Sequence, residues 1–146
     1  KSEKTSVKIY EGFGSSYDKA RSAIEAMRLH FPTRRLFVIF EPHTFSWRNR
    51  AALSWYNTVF AGAAEILIYK PPRFAASTHV QVTLADILER VSSTGTQAAG
   101  AETKEEALRY LSKTLRADDA LLLLSSGALG GLIEEAPRLA ERMFPA

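Results

Sequence analysis

Along this chain, short runs of consecutive apolar residues alternate with stretches whose apolar residues recur every three or four positions. The first run, Thr5–Tyr10, places Val7 and Ile9 in alternation and leads into the glycine-rich Gly12–Ser16. Ala20, Ala23, Ile24, Met27 and Phe31 then mark one face of a helix from Tyr17 to about Phe31, which Pro32 ends. The second run, Arg35–Phe40, is unbroken after its arginine, as expected of a central strand buried on both faces. Ser46 is placed to cap a helix carrying Ala51, Leu53, Tyr56 and Phe60. A third strand, Glu65–Tyr69, runs into a loop containing Pro71-Pro72. Thr83 and Asp86 open the next helix, whose buried face is Leu84, Ile87, Leu88 and Val91. A weaker strand near Gln97–Gly100 precedes a capping box, Thr103 with Glu106, and then Ala107, Leu108, Leu111 and Leu115. The fifth strand, Ala120–Leu124, is the clearest, and Ser125–Gly131 carries it into a last helix that Pro137 is expected to break or restart.

Strands alternating with helices predict an α/β domain, Rossmann-like and three-layered. Its mostly parallel sheet has about five or six strands, with helices on both faces. At 146 residues one domain accounts for the whole of 1–146, and the length is enough to bury a core without staples. The absence of cysteine removes disulfides, thiolate metal sites and cysteine nucleophiles. No run is long enough to span a membrane, and Lys1-Ser2-Glu3-Lys4 does not begin a signal peptide. Starting without Met one short step before a strand, the chain reads as a piece of something longer. The net charge of +3 comes from interspersed charges rather than a stripe, which points away from nucleic acid. The local basic excess from Arg28 to Arg35, continued by Arg48 and Arg50, suits a small anion.

In open parallel sheets, ligands bind outside the carboxyl ends of the strands. Three loops there are unusual. Gly12-Phe13-Gly14-Ser15-Ser16-Tyr17 nearly matches a dinucleotide fingerprint, with Tyr17 where the third glycine belongs and Glu41 as the acidic partner, so an NAD(P)-binding domain stays open as an alternative. His43, Thr44, Ser46, Arg48 and Arg50 form a candidate anion grip, since guanidinium forks match carboxylate and phosphate oxygens. Ser125, Ser126, Gly127, Gly130 and Gly131 offer backbone N–H groups to a ligand that comes close. No G-x-x-x-x-G-K-[ST] loop is present, His30, His43 and His79 are too scattered for a metal site, and Ser125 and Ser126 lack a nucleophile-elbow setting. Trp47 and Trp55 read as packing residues.

Leu36-Phe37-Val38-Ile39-Phe40-Glu41-Pro42-His43-Thr44-Phe45-Ser46 resembles the "apolar strand, then P-H-R-Y-[ST]" segment of the C-terminal domain of bacterial Mur ligases. Tyr10-Glu11-Gly12-Phe13-Gly14 is similar to that family's "Y-D-D-[YF]-A", and Leu124–Leu132 to a glycine-rich segment of its murein-peptide branch, the UDP-N-acetylmuramate:L-alanyl-γ-D-glutamyl-meso-diaminopimelate ligases. The resemblance implies a cytoplasmic, ATP-dependent amide ligase of three domains acting in peptidoglycan synthesis or recycling. A first domain would take the UDP-sugar and a central one ATP and Mg. The third, like this chain, would present the amino acid or peptide and be inactive alone, without catalytic residues or a bound cofactor of its own. Carried over residue by residue, it matches His43 and Ser46 to the P-H-R-Y-[ST] segment and Gly127, Gly130 and Gly131 to the glycine-rich loop. With Thr44, Arg48, Ser125 and Ser126 these are the expected substrate contacts, and Glu11, Gly14, Ser15 and Ser16 are the expected nucleotide-facing ones. Thr44 stands where the family has arginine, and Ser15-Ser16-Tyr17 where it has an H-x-P element. A non-catalytic Rossmann-like module for another small ligand is the second reading.

Overall fold

The computed structural model describes residues 4–42, 47, 50–70, 83–125 and 129–146. Five strands, β1 (Lys8–Gly12), β2 (Leu36–Phe40), β3 (Glu65–Tyr69), β4 (Gln97–Ala101) and β5 (Ala120–Leu124), form one sheet in the order β1-β5-β2-β3-β4. Every pairing is parallel. The helices are α1 (Tyr17–His30), α2 (Leu84–Ser92), α3 (Lys104–Thr114) and α4 (Leu132–Met143), with a 3₁₀ helix over Arg50–Asn57 between β2 and β3. The expected Rossmann-like architecture is therefore present, with five strands and helices on both faces.

All residues of β2 and β5 are buried, which is why they read as continuous apolar runs. Alternation divides them between two cores. Leu36, Val38, Phe40, Leu122 and Leu124 meet Ile24 and Met27 of α1, Tyr56 of the 3₁₀ helix and Ile87 and Val91 of α2. Phe37, Ile39, Leu121 and Leu123 meet Ala107 and Leu111 of α3 and Leu132, Ala136 and Leu139 of α4.

Four expectations change. Thr5 lies outside β1: it pairs with Pro145, and its buried hydroxyl donates to the carbonyls of Phe144 (2.6 Å) and Ala140 (3.1 Å), so it serves the end of α4 instead of the sheet. The helix expected after β2 is, over Arg50–Asn57, a 3₁₀ helix, and Leu53 and Tyr56, packed inward, stand at its three-residue period. Pro137 neither breaks nor restarts α4, which runs through it. It lacks only the bond to the carbonyl four residues back, while Ala136, Leu139 and Ala140 hold the following turn in the core. The capping box at Thr83 and Asp86 forms in full. At α3, however, Thr103 accepts from Glu106 N (3.1 Å) while the Glu106 carboxylate takes the N–H of Glu102 (2.7 Å).

The basic excess at Arg28–Arg35 also has a different role from the one expected. It lies at the amino ends of β2 and β5, opposite the candidate loops. There Arg28 donates to the carbonyls of Arg34 (2.9 Å) and Pro32 (3.1 Å). Arg34 donates to those of Ser6 (3.1 Å) and Asp118 (2.8 Å). Arg35 grips the buried Asp119 through Nε (3.1 Å) and Nη2 (2.7 Å). These guanidiniums tie the segments at the amino ends of the strands together, their forked donors meeting carbonyls and a carboxylate.

Candidate functional site

The order of the strands picks out the place where a ligand fits. The helices that follow β1, β2 and β3 lie on one face of the sheet, the α1–α2 face, whereas those that follow β4 and β5 lie on the other, the α3–α4 face. β5 therefore lies between two strands, β1 and β2, whose following helices lie on the opposite face from its own, and a crevice opens at their carboxyl ends. The described roots of the three loops singled out from the sequence lie there.

Backbone hydrogen bonds fasten them. Ser125 N donates to Gly12 O (3.2 Å) and Glu41 N to Leu124 O (3.3 Å), extending the parallel ladder beyond the strands. Ser125 Oγ donates to Glu41 Oε1 (3.1 Å), and both residues are buried. The ladder pairs Phe40 with Leu124 and with Ile68. One step further, Ser125, Glu41 and Tyr69 form a polar row across β5, β2 and β3 on the α3–α4 face. Burial, with Glu41 and Glu105 adding to it, raises the Tyr69 hydroxyl above the usual tyrosine range.

In the first loop, Gly14 is buried, and a Cβ there would lie 3.0 Å from Leu124 Cγ and 3.1 Å from Phe40 Cε1. Its carbonyl accepts the indole N–H of Trp47 (2.5 Å). Trp47 is fully buried among Phe40, Tyr56 and Trp55, with ring centroids 5.0, 5.3 and 5.6 Å away. Packing alone thus accounts for the second glycine of the near-fingerprint. Tyr17, in place of the third, donates or accepts a hydrogen bond with Thr58 Oγ1 (2.8 Å), and the close helix–strand approach falls instead at Gly12, where a Cβ would lie 3.0 Å from Ala23 Cβ. Ser16 caps α1 by accepting from Lys19 N (3.2 Å). Ser15 is half-buried, Glu11 is exposed, and Phe13 presents its ring to solvent, 73% exposed.

After β5, Leu129, Gly130 and Gly131 all have positive φ (54°, 62° and 90°). This turn brings Gly130 against the Tyr69 ring: a Cβ there would lie 2.7 Å from Tyr69 Cε2 and nearer still to the hydroxyl end. Gly131 faces Lys104 Cδ. His43, Thr44, Ser46, Arg48, Ser126 and Gly127 lie outside the described residues, as does the cap expected of Ser46. Sequence reading missed Tyr69, whose only signal was a tyrosine closing an apolar run. It also missed the indole donor of Trp47. Among the described residues, no three His, Asp or Glu side chains gather where a metal could sit, and no helix is long and apolar enough to cross a membrane.

An all-parallel open sheet with its crevice between β1, β5 and β2 defines the class: α/β domains that hold small ligands at the carboxyl ends of their strands. The chain matches no family model. It is 31% identical over 120 residues, 82% of its length, to the UDP-N-acetylmuramate–L-alanine ligase of Desulfitobacterium hafniense, and 30% identical over 115 residues to that of Halorhodospira halophila. It spans 26% and 23% of the length of those ligases, respectively. Two solved structures share its fold. A murein peptide ligase from Psychrobacter arcticus superposes with a TM-score of 0.78 at 13% identity, over 97% of this chain and 29% of that one. A Haemophilus ducreyi domain, from a protein described as a UDP-N-acetylmuramate:L-alanyl-γ-D-glutamyl-diaminopimelate ligase, gives 0.67 at 18% identity, covering 96% of this chain and 97% of that one. Sequence and fold together identify the chain as a Mur ligase-type C-terminal domain.

Proposed function

We propose that this chain is the acceptor-presenting third domain of an ATP-dependent Mur-type amide ligase, holding an incoming amino acid or short peptide so that its amine attacks an acyl phosphate made on another domain. The observation that carries this is the joining of the roots of the three candidate loops at the β1/β5/β2 crevice, where Ser125 is fastened to Gly12 and to Glu41. The chain's own contribution is positioning: fixing the amine near its target turns a bimolecular encounter into an effectively intramolecular step. In this reading Ser125, Ser126, Gly127, Gly130 and Gly131, with His43, Thr44, Ser46 and Arg48, contact the acceptor. Glu11, Ser15 and Ser16, and Gly14 through its backbone, face the nucleotide held by the central domain.

The residues here do not suit ATP and Mg themselves, for the chain has no phosphate-cradling glycine–lysine loop and its described residues gather no metal-binding set. Nucleotide, metal and UDP-sugar are assigned to the remainder of a longer cytoplasmic protein, and the isolated domain is expected to be inactive. The acceptor is L-alanine or the tripeptide L-alanyl-γ-D-glutamyl-meso-diaminopimelate, the compounds named for the relatives in sequence and in fold, respectively.

The test is an NMR titration of the chain with each acceptor separately, with ATP·Mg and NADH as controls. Saturable shifts at Ser125–Gly131 with one acceptor are expected and would name it. Shifts confined to NADH and centred on Gly12–Ser16 would replace this reading with dinucleotide binding.

A further inference from the structure

We infer that Tyr69, on a strand that supplies none of the three loops, is the positioning residue that sets the shape of the Leu129–Gly131 turn and with it the acceptor-binding end of the crevice. The inference deepens the acceptor-presenting role proposed above and rests on it for its functional half only.

Three successive residues of this turn sit in the left-handed region. For Gly130 and Gly131 that conformation is natural. For Leu129 it is unfavourable, because a Cβ there crowds the following carbonyl, so surrounding structure must enforce it. Two constraints do so. The Leu129 side chain is fully buried in the α3–α4 core, which fixes the start of the turn. The Tyr69 ring occupies the space a side chain at 130 would need, so ring and glycine backbone lie in direct contact. Lys104, at the start of α3, bounds the turn at Gly131.

Tyr69 is itself held from two sides. It closes β3 one register step beyond the Phe40–Ile68 pair, which seats it beside Glu41, and its ring packs against the α3–α4 core. The same residue therefore touches the turn after β5 and flanks the carboxylate that accepts from Ser125 at the other end of that loop. Gly130 remains exposed on its outer side, so the backbone that Tyr69 orders is open to a ligand. The contact is reciprocal. A side chain at 130 would displace the ring, and loss of the ring would free the turn.

The experiment compares the unmodified chain with Tyr69→Phe, Tyr69→Ala and Gly130→Ala, using amide hydrogen exchange read by NMR and titration with the tripeptide and with L-alanine. Tyr69→Ala and Gly130→Ala are expected to speed exchange at Gly130 and Gly131 by roughly ten-fold or more while Leu139 and Ala140 of α4 keep their protection. Tyr69→Phe, which keeps the ring, should behave as the unmodified chain. The two loosened variants should bind the acceptor about ten-fold more weakly, and combining them should add little, as for partners in one contact. Unchanged exchange at the turn in Tyr69→Ala overturns the inference, and so does a rise spread equally through β5 and α4. A loosened turn that still binds the acceptor at full affinity overturns its functional half. If the unmodified chain binds neither acceptor, the ligase reading fails, and the exchange comparison still decides whether Tyr69 sets the turn.

Discussion

Replacing Trp47 with phenylalanine isolates the tie between the first two loops of the crevice. The indole N–H is the donor to Gly14 O, and both groups are buried. Phenylalanine keeps an aromatic ring beside Phe40 and Tyr56 but leaves that carbonyl without its donor. An orphaned buried acceptor costs about 1–3 kcal/mol. The lost pyrrole ring leaves a cavity that Phe40, Tyr56 and Trp55 close only in part, adding about 1–2 kcal/mol. The sum is about 3 kcal/mol. For a domain of this size that lowers Tm by roughly 6–12 °C. Urea unfolding followed by far-UV circular dichroism measures it, with Trp55→Phe as the control: Trp55 is 38% exposed, so its loss should cost under about 1 kcal/mol. If Trp47→Phe lost less than about 1 kcal/mol, or no more than the control, the hydrogen bond would not be what holds the first loop, and the packing account of Gly14 would fall with it.

Two further outcomes test other parts of the fold. Burial and a hydrogen bond to Glu65 push the Tyr110 hydroxyl from 10.0 up to about 12, so between those values the native state binds more protons than the unfolded chain and stability falls as pH rises. A Tyr110→Phe variant should show a shallower loss of stability over that range in pH-dependent urea titrations, and an unaltered alkaline limb would contradict the assignment. Pro137→Ala should restore a backbone donor inside α4 and stabilise the chain by about 1–2 kcal/mol, the helix gain being partly offset by a freer unfolded chain; an unchanged or lower midpoint in thermal unfolding would show that the helix is already adapted to proline.

What could be read in the sequence, and what could not, follows from the range over which each feature is determined. Strands β2 and β5 announce themselves because burial on both faces forbids polar residues, a constraint local to each run. Thr83 with Asp86 is likewise complete within four residues. The candidate loops could be marked because strand ends are visible and glycine and serine there are unusual. Tyr69 could not, since its partners Glu41 and Gly130 become neighbours only through the order β5-β2-β3, which alternation does not specify. Trp47 was recognised as a packing residue, but its partner carbonyl lies thirty-three residues away in another loop. The arginines of the Arg28–Arg35 segment misled for the same reason: residue type displays their charge, but the carbonyls and the carboxylate that engage them come from distant segments.

The position of β5 has a consequence for how the chain reaches its fold. The strand made last stands second from the edge: it is inserted between β1 and β2 and, among the described residues, is the only partner β1 has in the sheet. Until Ala120–Leu124 arrives, β1 has nothing to pair with, and β2 presents a bare edge of Leu-Phe-Val-Ile-Phe. Such an edge is a template for pairing with another chain, so a chain stopped short of β5 is an aggregation hazard. The closure that joins residues more than a hundred positions apart also makes the slow, non-local step of assembly the same event that creates the ligand crevice. Folding of the sheet and formation of the site are one cooperative act, and a partly folded chain has no crevice with which to bind.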